Sequence, residues 1–185
     1  MAGHRSYDAA MLDHLYLVVT GAGTARRAPE LLGRLVGLGP RVVTVLTPNA
    51  RRIVAPRELA LALGEGSRHR VVESYFDEAI LPRPPRGVVL VAPCSFDALN
   101  KLACGIADNL ALSVVAEAIG RGTPVIVAVS VNAPLWAHPR ARESVATLRG
   151  WGVEVLTPVP LGDSLTMAAT DDLVATVQRH LGRAR

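Results

Sequence analysis

Short apolar runs alternate with stretches of helical periodicity along the whole chain. Leu15–Thr20, Arg41–Thr47, Gly87–Ala92 and Pro124–Val131 are nearly continuous in Val, Leu and Ile, and Arg70–Ser74 and Val153–Leu156 are shorter runs of the same kind. Runs of that length without polar alternation predict strands buried on both faces. Between them lie helical stretches: one from the Gly21–Thr24 turn through Leu38, a region opened by Thr47-Pro48-Asn49, then Phe96–Cys104, Asn109–Arg121, His138–Arg149 and Asp171–Leu181. Gly105 stands between two of these as a C-cap. Strand–helix alternation predicts βαβ units and a single α/β domain, a doubly wound parallel sheet of flavodoxin-like or Rossmann-like type. The one break in pattern is Leu81–Arg86, where three prolines forbid both helix and central strand and predict an extended loop.

In such folds the binding crevice lies at the carboxyl ends of the strands. Here those ends are Thr20–Thr24, Thr47–Ala50, Pro93–Asp97 and Val131–Trp136. Thr20-Gly21-Ala22-Gly23-Thr24 has glycines that let backbone amides approach a phosphate. It lacks the third glycine of a dinucleotide fingerprint and the lysine of a phosphate-binding loop, so alone it reads equally as a tight turn. Thr47 and Asn49 read first as caps.

Composition narrows the class. Of 185 residues, 50% are hydrophobic and 4% aromatic, which predicts an aliphatic core that needs no disulfide or metal. Cys94 and Cys104 lack metal-ligand spacing with any histidine, so we expect no metal and reduced thiols in the cytoplasm. We read both as core residues. The net charge of +4 comes from scattered arginines with no aromatic-studded basic face, which argues against nucleic acid as a partner. No apolar run is long enough for a membrane span.

The most informative segment is Pro93–Leu110, PCSFDALNKLACGIADNL; Val129–Trp136, VSVNAPLW, is the second. Packing alone does not require Asp108-Asn109 after an apolar stretch. Together the two segments resemble the signatures of the homo-oligomeric flavin-containing cysteine decarboxylases. That family takes in phosphopantothenoylcysteine decarboxylases and the peptidyl-cysteine decarboxylases of peptide natural-product biosynthesis. Its first motif, P-A-S-A-N-T, matches Pro93, Ser95 and Ala-for-Thr at Ala98, and Asn100-Lys101, Gly105 and Ala107-Asp108-Asn109 follow in register. Its second, P-x-M-N-x-x-M-W, keeps Asn132 and Trp136. The resemblance covers about residues 15–160, leaving 1–13 as an N-terminal extension.

The resemblance implies FMN as cofactor, in a crevice completed by a second copy in a homotrimer or dodecamer. It implies Gly21, Gly23 and Thr24 at the phosphate, with Thr47, Ala50, Pro93, Ser95, Asp108 and Asn109 around the flavin. Asn132 and Trp136 would bind substrate, with Asn132 and Asp97 at the reacting end. The implied substrate is a cysteine-containing peptide or small thiol carboxylate, decarboxylated oxidatively to an enethiol. Three departures point instead to a re-purposed or noncatalytic flavoprotein subunit. The family's histidine lies fourteen residues before the motif proline, at what is Ala79 here. The motif asparagine is Asp97, an acceptor-only group. No cysteine follows Cys104 to serve a reductive route. Asp77, Glu78 or His138 is the candidate replacement base, and in the resemblance the apolar surplus of Asn109–Arg121 is available for trimer contacts.

Overall fold

A computed structural model of the chain describes residues 13–183 apart from 65, 82, 83 and 85. The N-terminal extension up to residue 12 and half of the Leu81–Arg86 loop lie outside the described residues. The elements run β1 (His14–Val19), α1 (Ala28–Val36), β2 (Arg41–Leu46), α2 (Pro56–Leu63), β3 (Arg70–Val72), β4 (Gly87–Cys94), α3 (Phe96–Ala103) and α4 (Leu110–Gly120). They continue with β5 (Val125–Val129), α5 (Ala133–Ala137), α6 (Pro139–Gly150), β6 (Glu154–Leu156), β7 (Val159–Leu161), β8 (Ser164–Thr166) and α7 (Thr170–Arg183). Short 3₁₀ turns at Gly23–Arg27 and Ala50–Arg52 follow β1 and β2.

Six strands form one parallel sheet in the order β3-β2-β1-β4-β5-β6. This is the doubly wound α/β fold expected, with its winding reversing between β1 and β4. Side chains alternate faces along each strand, so continuous apolar runs feed two cores. Leu15, Leu17, Val19, Leu90 and Ile126 pack under α1 and α7, whereas Tyr16, Val18, Val89, Val91 and Val127 pack under α3, α4 and α6.

Most differences from the sequence reading are at element ends. β4 runs on through Pro93 and Cys94 rather than turning there. Its register against β5 shifts between Val91 and Cys94, and that irregularity lets a residue without an N–H sit in a central strand. Cys104 is exposed, not core. α3 ends at Ala103, and Gly105, with φ +68°, closes a Schellman turn in which Gly105 N–H donates to Leu102 O and Ile106 N–H to Lys101 O. Past the last helical turn, the Cys104 thiol leaves the buried stripe and meets Arg140 Nη2 at 2.7 Å. The apolar surplus of α4 is consumed by the chain's own core, where Leu110, Ala111, Leu112, Val114, Val115 and Ala118 are buried. Among the described residues no helix is long and apolar enough to cross a membrane.

His69, the histidine nearest upstream of the first motif, is a structural group. Its Nδ1 accepts the Val42 N–H at 2.9 Å, and it is buried. Burial lowers its pKa from the ordinary value, and Arg68 and Arg41 lower it further. Because the folded-state pKa lies below the unfolded one, stability should be full above about pH 6.5 and fall as pH drops below it, until the folded His69 itself titrates. We expect denaturant midpoints to fall between pH 7.5 and pH 5.5 in the wild type, and this slope to flatten in His69→Gln, which cannot titrate.

Candidate functional site

The carboxyl ends of β1, β2, β4 and β5 meet at the reversal point, and one side chain ties two of them together. Thr20 leaves β1 buried, and its N–H donates to Pro93 O at 3.1 Å. Its hydroxyl donates to the same carbonyl at 2.8 Å and accepts the Ser95 N–H at 2.7 Å. A second strap, Thr24 Oγ1 to Ser130 Oγ at 2.7 Å, joins the first loop to the end of β5.

Two recesses share this floor. The wider, about 590 Å³, is lined by Gly21–Thr24, Asn49, Ser95–Asp97, Ser130–Asn132, Leu135 and Leu165. The narrower, about 180 Å³, is lined by residues that include Thr20, Gly21, Thr47, Asn49, Ser95, Asp97, Lys101, Asp108 and Asn109. Gly21, Asn49, Ser95 and Asp97 border both, so the two are halves of one crevice.

Nine of the residues singled out in the sequence therefore converge: Gly21, Gly23, Thr24, Thr47, Ser95, Asp97, Asp108, Asn109 and Asn132. The two glycines differ in kind. A Cβ on Gly21 would lie 2.6 Å from Asn49 Cβ, so this glycine lets the first and second loops touch. Around Gly23 a Cβ would meet nothing within 4 Å, so its backbone is open to the crevice. Ala50, Pro93 and Trp136 are elsewhere. Ala50 is buried with its N–H on Thr47 Oγ1, Pro93 is buried in β4, and Trp136 packs against the core.

The polar residues at the crevice are mostly helix caps. Ser95 Oγ accepts the Ala98 N–H, Asn109 Oδ1 the Leu112 N–H and Asn132 Oδ1 the Leu135 N–H, opening α3, α4 and α5. Each amide is thus held by its oxygen. The Asn109 amide nitrogen donates to Asp108 Oδ1 at 2.9 Å.

Three residues that the sequence reading did not assign shape the crevice. Lys101, the chain's only lysine, bridges Asp97 at 3.2 Å and Asp108 at 2.8 Å. The Asp108 carboxylate raises the Lys101 pKa, Asp97 adds to the effect, and Lys101 in turn holds Asp108 below its ordinary value. The spacing of Asp97 and Lys101, one helical turn apart, was the available signal. Asn49, expected as a cap, makes no side-chain bond to the 3₁₀ turn it precedes, which leaves its side chain on both halves of the crevice. Leu165 arrives from the β7–β8 hairpin, whose Gly162-Asp163 turn between Leu161 and Ser164 was also legible.

The candidate replacement bases are not in the crevice. Asp77 and Glu78 line a separate cleft with Arg41 and Arg70, the first residues of β2 and β3, at the amino ends of those strands. Asp77 there accepts the Ala79 N–H, and Ala79 is buried in the core. His138 caps α6 through Nδ1 and packs edge-on against Phe96 with centroids 5.4 Å apart, one ring removed from the recess. Cys94 is fully buried, and burial pushes its thiol up, away from a thiolate.

Residues 5–182 match the family model described as Flavoprotein. The chain is 30% identical over 175 residues to the phosphopantothenoylcysteine decarboxylase of Mus musculus, covering 89% of this chain and 85% of that protein. It is 26% identical over 169 residues to the coenzyme A biosynthesis bifunctional protein CoaBC of Thermococcus kodakarensis, covering 90% of this chain but only 42% of that longer protein. The crystal structure of the FMN-dependent cysteine decarboxylase SpaF superposes with a TM-score of 0.73 at 24% identity, covering 93% of this chain and 98% of that one.

Replacing Thr20 by Val strands the Ser95 N–H and removes a donor from Pro93 O. We expect a loss of about 1–3 kcal/mol in denaturant unfolding. Thr20→Ser, which keeps the hydroxyl, should recover most of it.

Proposed function

The chain belongs to the flavoprotein family, and from that premise we propose that it binds FMN and decarboxylates a cysteine-derived thiol carboxylate, either a C-terminal cysteine of a peptide or a small molecule. The observation that carries this is the meeting of Gly23, Thr24 and Ser130 with Ser95, Asp97 and Asn132 in one recess.

The residues suit the cofactor. A recess of about 590 Å³ is in the range of cofactor sites. Gly23 has open space beside its backbone, and it begins a 3₁₀ turn whose first N–H groups lack partners within the turn. Thr24 and Ser130 add hydroxyls, a donor set suited to a phosphate. Bound FMN would supply a two-electron acceptor. Asn132, with its oxygen held by the Leu135 N–H, is left with its amide hydrogens to donate to a substrate carboxylate. Asp97, where the family has asparagine, adds a negative charge that disfavours a carboxylate placed beside it, and Leu135 and Leu165 supply apolar wall.

A second reading, a flavin-binding subunit without decarboxylase activity, is favoured by one observation. Among the described residues no histidine lines either recess, and position 79 is a buried alanine. A thiol of pKa near 8.5 is deprotonated most readily by a base that titrates near neutrality.

We place the protein in a homotrimer or a dodecamer built from trimers. Support comes from the exposed side chains of Tyr75, Phe76 and Ile106, of which Phe76 lines the cleft that holds Asp77 and Glu78. Tyr75 Oη meets Ser113 Oγ at 2.6 Å, and that hydroxyl reaches Ala107 O in the loop leading to Asp108. Light scattering on the purified protein should give a multiple of three, and Phe76→Asp should lower it.

The purified protein should be yellow, with flavin bands near ~370 and ~450 nm, and should remove CO₂ and two hydrogens from a cysteine-terminated peptide or thiol carboxylate, read by mass spectrometry. Bound flavin without any mass change supports the second reading; failure to bind added FMN removes both. Asn132→Asp keeps the cap but loses the donor, so it should retain flavin while kcat/KM falls about tenfold or more.

A further inference from the structure

Among the described residues, Asp97 is the one ionisable side chain on the wall of the wider recess. Lys101 meets Asp97 from the narrow side only, and it is shared with Asp108, which lies nearer, at 2.8 Å against 3.2 Å. Two carboxylates around one ammonium leave a net charge of about −1. No arginine, lysine or histidine among the described residues lines the wide recess to offset it. The rest of its polar wall is hydroxyls, amides and backbone.

Two of its groups are complementary in chemistry. Asn132, oxygen engaged, offers hydrogens and suits a carboxylate. Asp97 accepts only and is exposed, so it suits an ammonium. A cysteine with a free α-amino group carries both partners on one carbon. Acylating that nitrogen, as in a peptide, removes its charge and leaves one donor.

We infer that Asp97 is a specificity-determining residue, and that the recess selects a small aminothiol carboxylate with a free ammonium over its N-acylated or peptide-linked counterpart. This rests on the reading of the recess as a thiol-carboxylate site and narrows its substrate class. It also gives the departure from the family's asparagine a chemical consequence: an acceptor has replaced a mixed donor and acceptor where the substrate nitrogen would lie.

The test is calorimetric titration of the full-length protein with L-cysteine and with N-acetyl-L-cysteine near pH 7, under reducing conditions. Wild type should prefer cysteine by about tenfold, about 1.4 kcal/mol, the scale of one charge-assisted hydrogen bond. Asp97→Asn should abolish the preference. Lys101→Met, which removes the compensating cation, should widen it and provides an independent reading should the first variant lose its fold. Equal affinities in the wild type, or a preference unchanged in Asp97→Asn, overturn the assignment while leaving the thiol-carboxylate reading intact. Binding of neither probe overturns the assignment, and failure of a cysteine-terminated peptide to bind as well overturns the thiol-carboxylate reading with it.

Discussion

The crevice depends on one buried hydroxyl, that of Thr20. Where a doubly wound sheet reverses direction, the chains leaving two neighbouring strands part to opposite faces and leave backbone groups between them without ladder partners. Thr20 fills that gap, donating to Pro93 O and accepting from Ser95 N–H. Once Ser95 is placed, it caps α3. That helix carries Asp97 and Lys101 to the recess on successive turns, and Lys101 then reaches across to Asp108, beside the cap of α4. A chain of short-range bonds thus begins at one threonine and ends at the far wall of the site.

The same side chains serve fold and chemistry. Ser95, Asn109 and Asn132 open helices at the crevice, and each does so with its oxygen. Capping consumes the acceptor and orients the remaining hydrogens, so an asparagine cap becomes a preoriented donor facing the recess. This economy has a consequence for design of the site: substitutions that remove the amide also remove a cap, and only replacements such as aspartate separate the two roles.

Much of this was legible in the chain. Continuous valine and leucine runs required strands covered on both faces, and their alternation with helical stretches required parallel winding. The polar residues that follow those runs, Thr20, Ser95, Asp97 and Asn132, line the two recesses. Pro93 and Ala50 sat at equally suggestive positions but are buried and line neither recess, because a residue's place at a strand end does not say which face it turns to. Cys104 shows the limit most simply. Its position extends the apolar stripe of α3, yet the helix ends one residue earlier and the thiol swings to solvent.

The sequence by itself determined the fold class, the strand ends that form the crevice and the amide and hydroxyl groups at its wall, because periodicity and capping are local properties of the chain. Only the tertiary structure decided the rest. It brought Asn49 against Gly21, Leu165 from a distant hairpin into the recess, and Lys101 between two carboxylates eleven residues apart. It also put Asp77 and Glu78 at the amino ends of β2 and β3, away from the crevice at the carboxyl ends. Those relations depend on packing between elements remote in sequence, and no local pattern encodes the distance between them.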